Sequence, residues 1–423
     1  MRSPILDYLD RAIEQTAHVA PGAPADYIPE LASADPQRIA VAMSTINGTV
    51  YASGDADHHF TIQSISKPFV YAQAIEERGL EDVLARIGVE PSGEAFNELS
   101  LDPDTGMPRN PMINAGAIAT HALLSHGARP ADERILELFS QLAEREIEID
   151  EAVAASEAAS AHRNLGLAHL LRAAGALDQE PQDAVDGYIR QCAASVTVRD
   201  LALMAATLAN GGVQPNTGER LFSRTTTRHL LGVMTSCGMY DAAGDWLTTV
   251  GIPAKSGVAG GIVGVLPGQL GIAVFSPGLD AHGNSSRGVA MMQHLSEELH
   301  LHLMEPARPA RSSLRETRMV WIDEHRATLY VLQGDLVLSS VESLVERVLE
   351  DPPTTERVVF DMSRVDEVLP VARHVAGQMA KKLIDDGHRI VLIDRDGVTT
   401  EVPGAAEPRV ERWTREQLDR SAG

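Results

Sequence analysis

Hydrophobic and polar positions follow two periodicities along the chain, and each predicts a type of element. Apolar residues recur at helical spacing over residues 68–78, 132–145 and 198–209. Short apolar runs with strand character form two pairs, each joined by a turn that contains Gly or Pro: residues 39–43 with 50–52, and 262–266 with 270–275. Antiparallel strands among many helices predict a helical lobe beside a sheet lobe.

The pattern changes after residue 304, which predicts a second domain. Residues 305–316 are polar, contain Pro and lack apolar periodicity, as is typical of a linker. Beyond them, predicted strands and helices alternate: strands at 319–322, 328–332, 357–361 and 389–393, helices at 341–349 and 371–385. We therefore expect a mixed α/β protein with domains at 1–304 and 317–423. The second would be a small α/β domain with a partly parallel sheet and a polar tail from residue 402 that ends in a short helix.

Charge and cysteine content exclude several classes of partner. Lys and Arg number 36 and Asp and Glu number 59, so the net charge is 36 − 59 = −23. Such an acidic surface repels nucleic acid and anionic membranes, and we expect neither as a partner. The N-terminal residues do not resemble a secretory leader, and no apolar run is long enough to span a bilayer. With only Cys192 and Cys237, reduced thiols in a cytoplasmic protein are the simplest interpretation.

Lysine is rare, and its positions are informative. Before Glu305 the chain contains only Lys67 and Lys255. Ser64 and Lys67 lie three residues apart at a predicted helix start, where a neutral lysine can serve as the base for a serine nucleophile. Lys255 begins a glycine-rich segment ahead of a predicted strand, where backbone N–H groups can bind an oxyanion. Taken alone, each segment is more often an ordinary surface turn.

Together, an early Ser-x-x-Lys and a late Lys-Ser-Gly are the arrangement of penicillin-recognising serine enzymes. Further motifs make the chain resemble the serine-dependent glutaminase family, whose fold is β-lactamase-like. In family order they are DYIPELA at 26–32, QSISKP at 63–68, EPSG at 90–93, NPMINAGAI at 110–118, CGMYD at 237–241 and PAKSGVAGG at 253–261.

This resemblance implies specific roles. Ser64 would be the nucleophile, Lys67 its base and Tyr240 a catalytic tyrosine that relays protons. The backbone N–H groups of Ser64 and Val258 would form the oxyanion hole. The remaining substrate-binding positions implied by the family are Tyr27, Gln63, Asn114, Glu157, Asn164 and Tyr188.

The implied reaction is hydrolysis of L-glutamine to L-glutamate and ammonia through a glutamyl ester. A buried Glu suits the substrate ammonium, while amides and phenols suit its carboxylate. No cofactor is expected. The histidines at 58, 59, 300 and 302 lack carboxylate or Cys partners at ligand spacing, so we predict no metal.

The C-terminal region, about 318–395, resembles the domain shared by sulfate transporters and anti-sigma-factor antagonists (STAS). The resemblance rests on VVFDMS at 358–363, Val365, the helix that follows and RIVLI at 389–393. The family's phosphoacceptor Ser is replaced, since this segment has Leu369, Pro370 and Val371. The domain would therefore either support assembly or bind an unidentified protein.

Two alternatives remain open beside the glutaminase prediction. One is a penicillin-recognising hydrolase, which would act on periplasmic substrates. The chain has neither an export signal nor a Ser-Asp-Asn element between its two lysine motifs. The other is a regulator that acts through the STAS-like domain. We also expect a homo-oligomer, either a dimer or a tetramer.

Overall fold

The computed structural model describes residues 4–92, 101–102, 104–126, 129–305, 313–322, 325–336, 338–368, 370–393, 410–414 and 417. Contacts divide the chain into two compact units, Met1–Glu305 and Pro306–Gly423. Among the described residues, no helix is both long enough and apolar enough to cross a membrane.

The first unit contains an antiparallel sheet of five strands. Seven strands lie among its described residues: β1 (Ala40–Thr45), β2 (Val50–Gly54), β3 (Phe60–Thr61), β4 (Ser195–Val196), β5 (Ala254–Ser256), β6 (Gly261–Leu266) and β7 (Leu270–Phe275). The sheet order is β2-β1-β7-β6-β5, and β3 pairs separately with β4. Successive residues of β1 join different apolar clusters: Ala40 and Ala42 the larger, Val41 and Met43 the smaller. Strand alternation thus gives the sheet two buried faces.

Helices account for most of the rest of this unit. Those among its described residues are α1 (Pro4–Thr16), α2 (Pro29–Ala32), α3 (Ser66–Arg78), α4 (Leu80–Leu84), α5 (Asn114–Leu123), α6 (Ala131–Ala143), α7 (Glu151–Ala159), α8 (His162–Ala173), α9 (Pro181–Cys192), α10 (Val198–Ala209), α11 (Arg224–Cys237), α12 (Ala243–Thr249) and α13 (Ser286–Leu299). The mixed α/β fold with an antiparallel sheet is confirmed.

Helix α10 is the central element of the first unit. A capping box between Thr197 and Asp200 fixes its start, and nearly every residue in it is buried. It lies directly on β7: a Cβ added to Gly271 would be only 2.3 Å from the backbone nitrogen of Ala206. The glycine therefore allows a helix that is buried along almost its whole length to contact the sheet.

The second unit contains one five-stranded sheet and two described helices. Its elements are β8 (Leu314–Ile322), β9 (His325–Leu336), α14 (Leu338–Glu350), β10 (Arg357–Val368), α15 (Pro370–Asp385), β11 (Arg389–Ile393) and β12 (Val410–Trp413). The order is β12-β11-β10-β9-β8, parallel throughout except for the antiparallel β8–β9 pair.

Two predictions about the second unit are wrong. The linker was expected to continue to Glu316, but Leu314–Glu316 already belong to β8 and pair with β9. The region after residue 402 was expected to be a polar tail, yet Val410–Trp413 pairs in parallel with β11. As an edge strand of four residues, β12 has only a weak apolar pattern. Most of the predicted short terminal helix lies outside the described residues. Gly93 and Leu369, which belong to predicted motifs, also lie outside them.

Candidate active site

The predicted nucleophile lies in a tight turn that leads into a buried helix. Gln63–Ile65 forms one turn of 3-10 helix, and α3 follows directly. Gln63 adopts a left-handed backbone conformation with φ 50°. Ser64 is 6% exposed and Lys67 is 1% exposed, so a substrate at the hydroxyl would reach an almost water-free environment. The three-residue spacing places the two side chains on one side of the turn.

The amine of Lys67 is held by two oxygen acceptors. It donates to the carbonyl oxygen of Met112 at 3.1 Å and to Oδ1 of Asn114 at 2.8 Å. Burial lowers the pKa of Lys67 to about 7. A neutral amine has two N–H donors and one lone pair. With both donors engaged, the lone pair remains available to accept a proton.

Tyr240 is hydrogen-bonded to the predicted nucleophile, Ser64. Its backbone is left-handed, with φ 57°, and its hydroxyl donates to the carbonyl oxygen of Ser256 at 3.1 Å. Burial raises the pKa of Tyr240 to about 12, although its hydrogen bonds with Ser64 and Ser256 oppose the shift. The phenol is therefore protonated at neutral pH and can pass a proton while hydrogen-bonded to Ser64.

Lys255 packs against this tyrosine, a contact that the sequence analysis did not predict. Its amine is 3.9 Å from the centroid of the Tyr240 ring and donates to the Ser256 carbonyl oxygen at 2.7 Å. Burial lowers the pKa of Lys255 well below its usual value. The two lysines of the first unit thus both lie close to the serine turn.

A group of amide and phenol side chains surrounds Asn114, the first residue of α5. Its Oδ1 also accepts from the Tyr188 hydroxyl at 3.3 Å, and its Nδ2 donates to Oδ1 of Asn164 at 3.1 Å. Tyr188 is buried in α9, while Asn164 lies in the first turn of α8. Helices α5, α8 and α9 thus each contribute one polar group to this part of the site.

A carboxylate forms the third part of the site. Glu157 of α7 accepts from the Tyr27 hydroxyl at 2.8 Å and from Nε2 of Gln63 at 3.3 Å. Burial is the main effect on Glu157 and raises its pKa, whereas the two hydrogen bonds act in the opposite direction. A partly desolvated acid is stabilised in its charged form by a cation, which an α-ammonium group would supply.

The glycine-rich segment lies against the serine turn. A Cβ added to Gly257 would be 3.1 Å from the backbone oxygen of Ile62 and 3.3 Å from the Cβ of Gln63. The segment can approach this closely because position 257 has no side chain. Val258, the next residue, is 9% exposed.

Hydrogen bonds join the predicted residues in three groups around the serine turn: Lys67 with Asn114, Asn164 and Tyr188, Glu157 with Tyr27 and Gln63, and Ser64 with Tyr240. Sequence reasoning missed three buried residues behind the serine turn: Ser66, His121 and Gln191. Ser66 lay within a quoted motif, but His121 and Gln191 occupy ordinary helical positions and gave no signal. No group of three or more His, Cys, Asp or Glu side chains arranged to hold a metal occurs in the described part of the chain. Cys192 and Cys237 are buried and free.

Comparison with known proteins connects this geometry to one family. The glutaminase family model matches residues 22–304. A glutaminase of Corynebacterium efficiens is 45% identical over 96% of this chain and 97% of its own, so the similarity extends through both units. A glutaminase of Trichormus variabilis is 48% identical over 72% of this chain and 91% of its own, which leaves little of that protein for a second unit. The crystal structure of the protein Mglu matches with a TM-score of 0.85 and 45% identity, covering 94% of this chain and 100% of that one.

Proposed function

Because the chain belongs to the glutaminase family, we propose that it hydrolyses L-glutamine through Ser64, with Lys67 as the base and Tyr240 as a proton relay. Its reaction is the hydrolysis of the side-chain amide, which yields L-glutamate and ammonia. The observation that best supports the residue assignment is the state of Lys67. This amine is buried, has a pKa of about 7 and uses both N–H donors on Met112 and Asn114.

Substrate binding follows from the charges of glutamine. The α-ammonium group pairs with Glu157, whose carboxylate is already oriented by Tyr27 and Gln63. The α-carboxylate accepts hydrogen bonds from the amide and phenol groups of Asn114, Asn164 and Tyr188. These contacts place the side-chain amide at Ser64 and give specificity for a free amino acid.

Acylation requires two proton transfers. The Ser64 proton moves to the Lys67 amine as Oγ bonds to the amide carbon. The N–H groups of Ser64 and Val258 stabilise the resulting oxyanion. Tyr240 then donates its proton to the amide nitrogen and recovers one from Lys67, and the C–N bond breaks to release ammonia.

Deacylation follows the same order of proton transfers, with water as the nucleophile. Lys67 accepts a proton from water as its oxygen attacks the ester carbon. The ester C–O bond breaks, and Ser64 Oγ recovers a proton from Lys67 through Tyr240. Free L-glutamate leaves, and the amine is neutral again.

The second unit is proposed to be STAS-like. This rests on the parallel β9-α14-β10-α15-β11 order together with the sequence motifs. A cytoplasmic location and a homo-oligomer, dimer or tetramer, belong to the same proposal. Light scattering of the purified chain would test the oligomer, and a pull-down with residues 317–423 would test for a protein partner.

Replacement of the nucleophile tests the main proposal. We expect Ser64→Ala to lower the rate of ammonia release from glutamine by roughly 10³-fold or more, since only the attacking oxygen is lost. Lys67→Arg should be nearly as inactive, because a guanidinium keeps the charge but cannot accept a proton at usable pH. Substantial activity in a clean Ser64→Ala preparation would remove Ser64 from the mechanism. Turnover of a β-lactam, with no ammonia release from glutamine, would favour a penicillin-recognising enzyme.

A further inference from the structure

A chain of hydrogen bonds runs behind the serine turn and ends on its backbone. Nδ1 of His121 lies 3.1 Å from Oε1 of Gln191, and Nε2 of Gln191 lies 3.0 Å from Oγ of Ser66. Ser66 Oγ in turn donates to the carbonyl oxygen of Gln63 at 2.7 Å. His121, Gln191 and Ser66 are each no more than 2% exposed, so water does not compete for these bonds.

Only one direction of donation satisfies the whole chain. The Gln63 carbonyl can only accept, so the Ser66 hydroxyl proton points to it. Ser66 Oγ must then accept from the amide nitrogen of Gln191. This leaves the amide oxygen of Gln191 to accept from His121, which therefore carries its proton on Nδ1. Every bond in the chain is thus specified by the carbonyl at its end.

That carbonyl belongs to a residue in an unfavourable conformation. Gln63 has φ 50°, a region in which the Cβ of an L-residue crowds its own backbone. The next residue is Ser64, and the Gln63 side chain contacts Glu157. Such a conformation persists only where the surrounding structure imposes it. The Ser66 hydroxyl holds the peptide unit that joins Gln63 to Ser64 through its hydrogen bond to the Gln63 carbonyl.

The His121 end of this series of hydrogen bonds is fixed by packing. Gly187 lies inside helix α9, where glycine is a poor helix former. A Cβ at this position would be 2.1 Å from Nε2 of His121, so the missing side chain provides the space that the imidazole ring occupies. The same helix carries Gln191 and the substrate-binding candidate Tyr188. The imidazole ring of His121 thus packs against α9, and its hydrogen bond orients Gln191 of the same helix.

From this geometry we infer that His121, Gln191 and Ser66 are positioning residues that hold the Gln63–Ser64 peptide in the conformation that presents Ser64 to the substrate. The inference rests on the proposed role of Ser64 as nucleophile. None of the three residues needs to contact glutamine. Their removal should therefore affect the chemical step more than substrate binding.

Two single variants break the chain at different places. Ser66→Ala removes the last donor, and Gln191→Leu removes the middle link with little change in volume. We expect each to lower kcat for glutamine by about 10-fold, the rate equivalent of one buried hydrogen bond, while KM changes by less than about 3-fold. Thr120→Val is the matched control. Thr120 is 1% exposed and precedes His121, but its hydroxyl donates only to the Gly116 carbonyl of its own helix.

The double variant distinguishes loss of the positioning role from a general loss of packing in the core. Because both changes break the same chain, Ser66→Ala with Gln191→Leu should lose no more in kcat than the worse single variant. Ser66→Ala with Thr120→Val should show the two separate effects combined. Thermal unfolding of each variant provides the folded fraction by which kcat is corrected. If Gln191→Leu does not fold, Gly187→Ala, whose Cβ would displace the His121 ring, takes its place beside Ser66→Ala in the cycle.

Each outcome of these measurements has a definite meaning. Wild-type kcat in Ser66→Ala would overturn the inference, as would a rise in KM alone or independent losses in the double variant. The Ser64→Ala result keeps this test separate from the proposed function. If Ser64→Ala is inactive while Ser66→Ala and Gln191→Leu are fully active, only the positioning role is ruled out. If Ser64→Ala is active, Ser64 is not the nucleophile.

Discussion

The side-chain oxygen of Asn114 accepts a hydrogen bond from the Lys67 amine at 2.8 Å. Because this acceptor is an uncharged amide, it orients the amine without stabilising the ammonium form as a carboxylate would. The lowered pKa of Lys67, about 7, therefore depends on burial and on the neutrality of this partner.

Asn114→Asp tests this relationship. A carboxylate beside the amine should raise the pKa of Lys67, so the acidic limb of kcat/KM should move to higher pH. Asn114→Ala is the matched control, since it loses the same substrate contact without adding charge. It should lower kcat/KM but leave the limb near its original pH. An unchanged midpoint in Asn114→Asp would show that Lys67 is not the group that titrates.

The wild-type pH profile follows from the same pKa. Lys67 acts as a base only when neutral, and its amine is protonated below about pH 7. We therefore expect kcat/KM to fall about 10-fold per pH unit below that value and to level off above it. An analogue of glutamine that lacks the α-amino group should show the same limb, because Glu157 has no ammonium to bind in that substrate. If the acidic limb of kcat/KM appears only with glutamine, the group that titrates is Glu157.

The local elements of this protein follow from its sequence more closely than its site contacts do. Helix α10 and strand β7 have the predicted bounds because a long apolar helix and a continuous apolar strand are strong local patterns. Strand β12 was missed since its order depends on pairing with β11. The element types were thus predictable where the signal lay within the element itself.

Contacts between distant residues could not be derived from spacing. Lys67 and Asn114 are 47 positions apart, and Tyr27 and Glu157 are 130 apart. The family resemblance placed all four in one site, but it did not indicate which of them would touch. It also gave no indication of His121, whose place depends on the space beside Gly187 in another helix.

Glu157→Gln should weaken glutamine binding through loss of the ammonium partner. We expect KM for glutamine to rise roughly 10- to 100-fold, which corresponds to one charge-assisted hydrogen bond. The des-amino analogue should be affected far less, and the comparison of KM for the two substrates is the measurement. Glu151→Gln on the same helix is the control, because Glu151 pairs with Arg190 at the surface. An equal loss on both substrates would mean that Glu157 does not bind the ammonium.

Residues 1–304 expressed alone should keep glutaminase activity. Every predicted catalytic and binding position lies before residue 259, and the first compact unit ends at Glu305. The glutaminase of Trichormus variabilis supports this, since 91% of that protein is matched by 304 residues, or 72% of the present chain. The second unit has its own sheet and its own apolar clusters, and we expect the core around α10 to form without it.

We therefore expect the truncated protein to turn over glutamine at close to the full-length rate per active site, while its assembly or stability changes. Active-site titration with ammonia release gives the first quantity, and size exclusion with light scattering gives the second. Full-length protein with Ser64→Ala provides the background rate. A folded truncation with almost no activity per site would show that the second unit organises the active site, and the two parts would then have to be treated as one catalytic body.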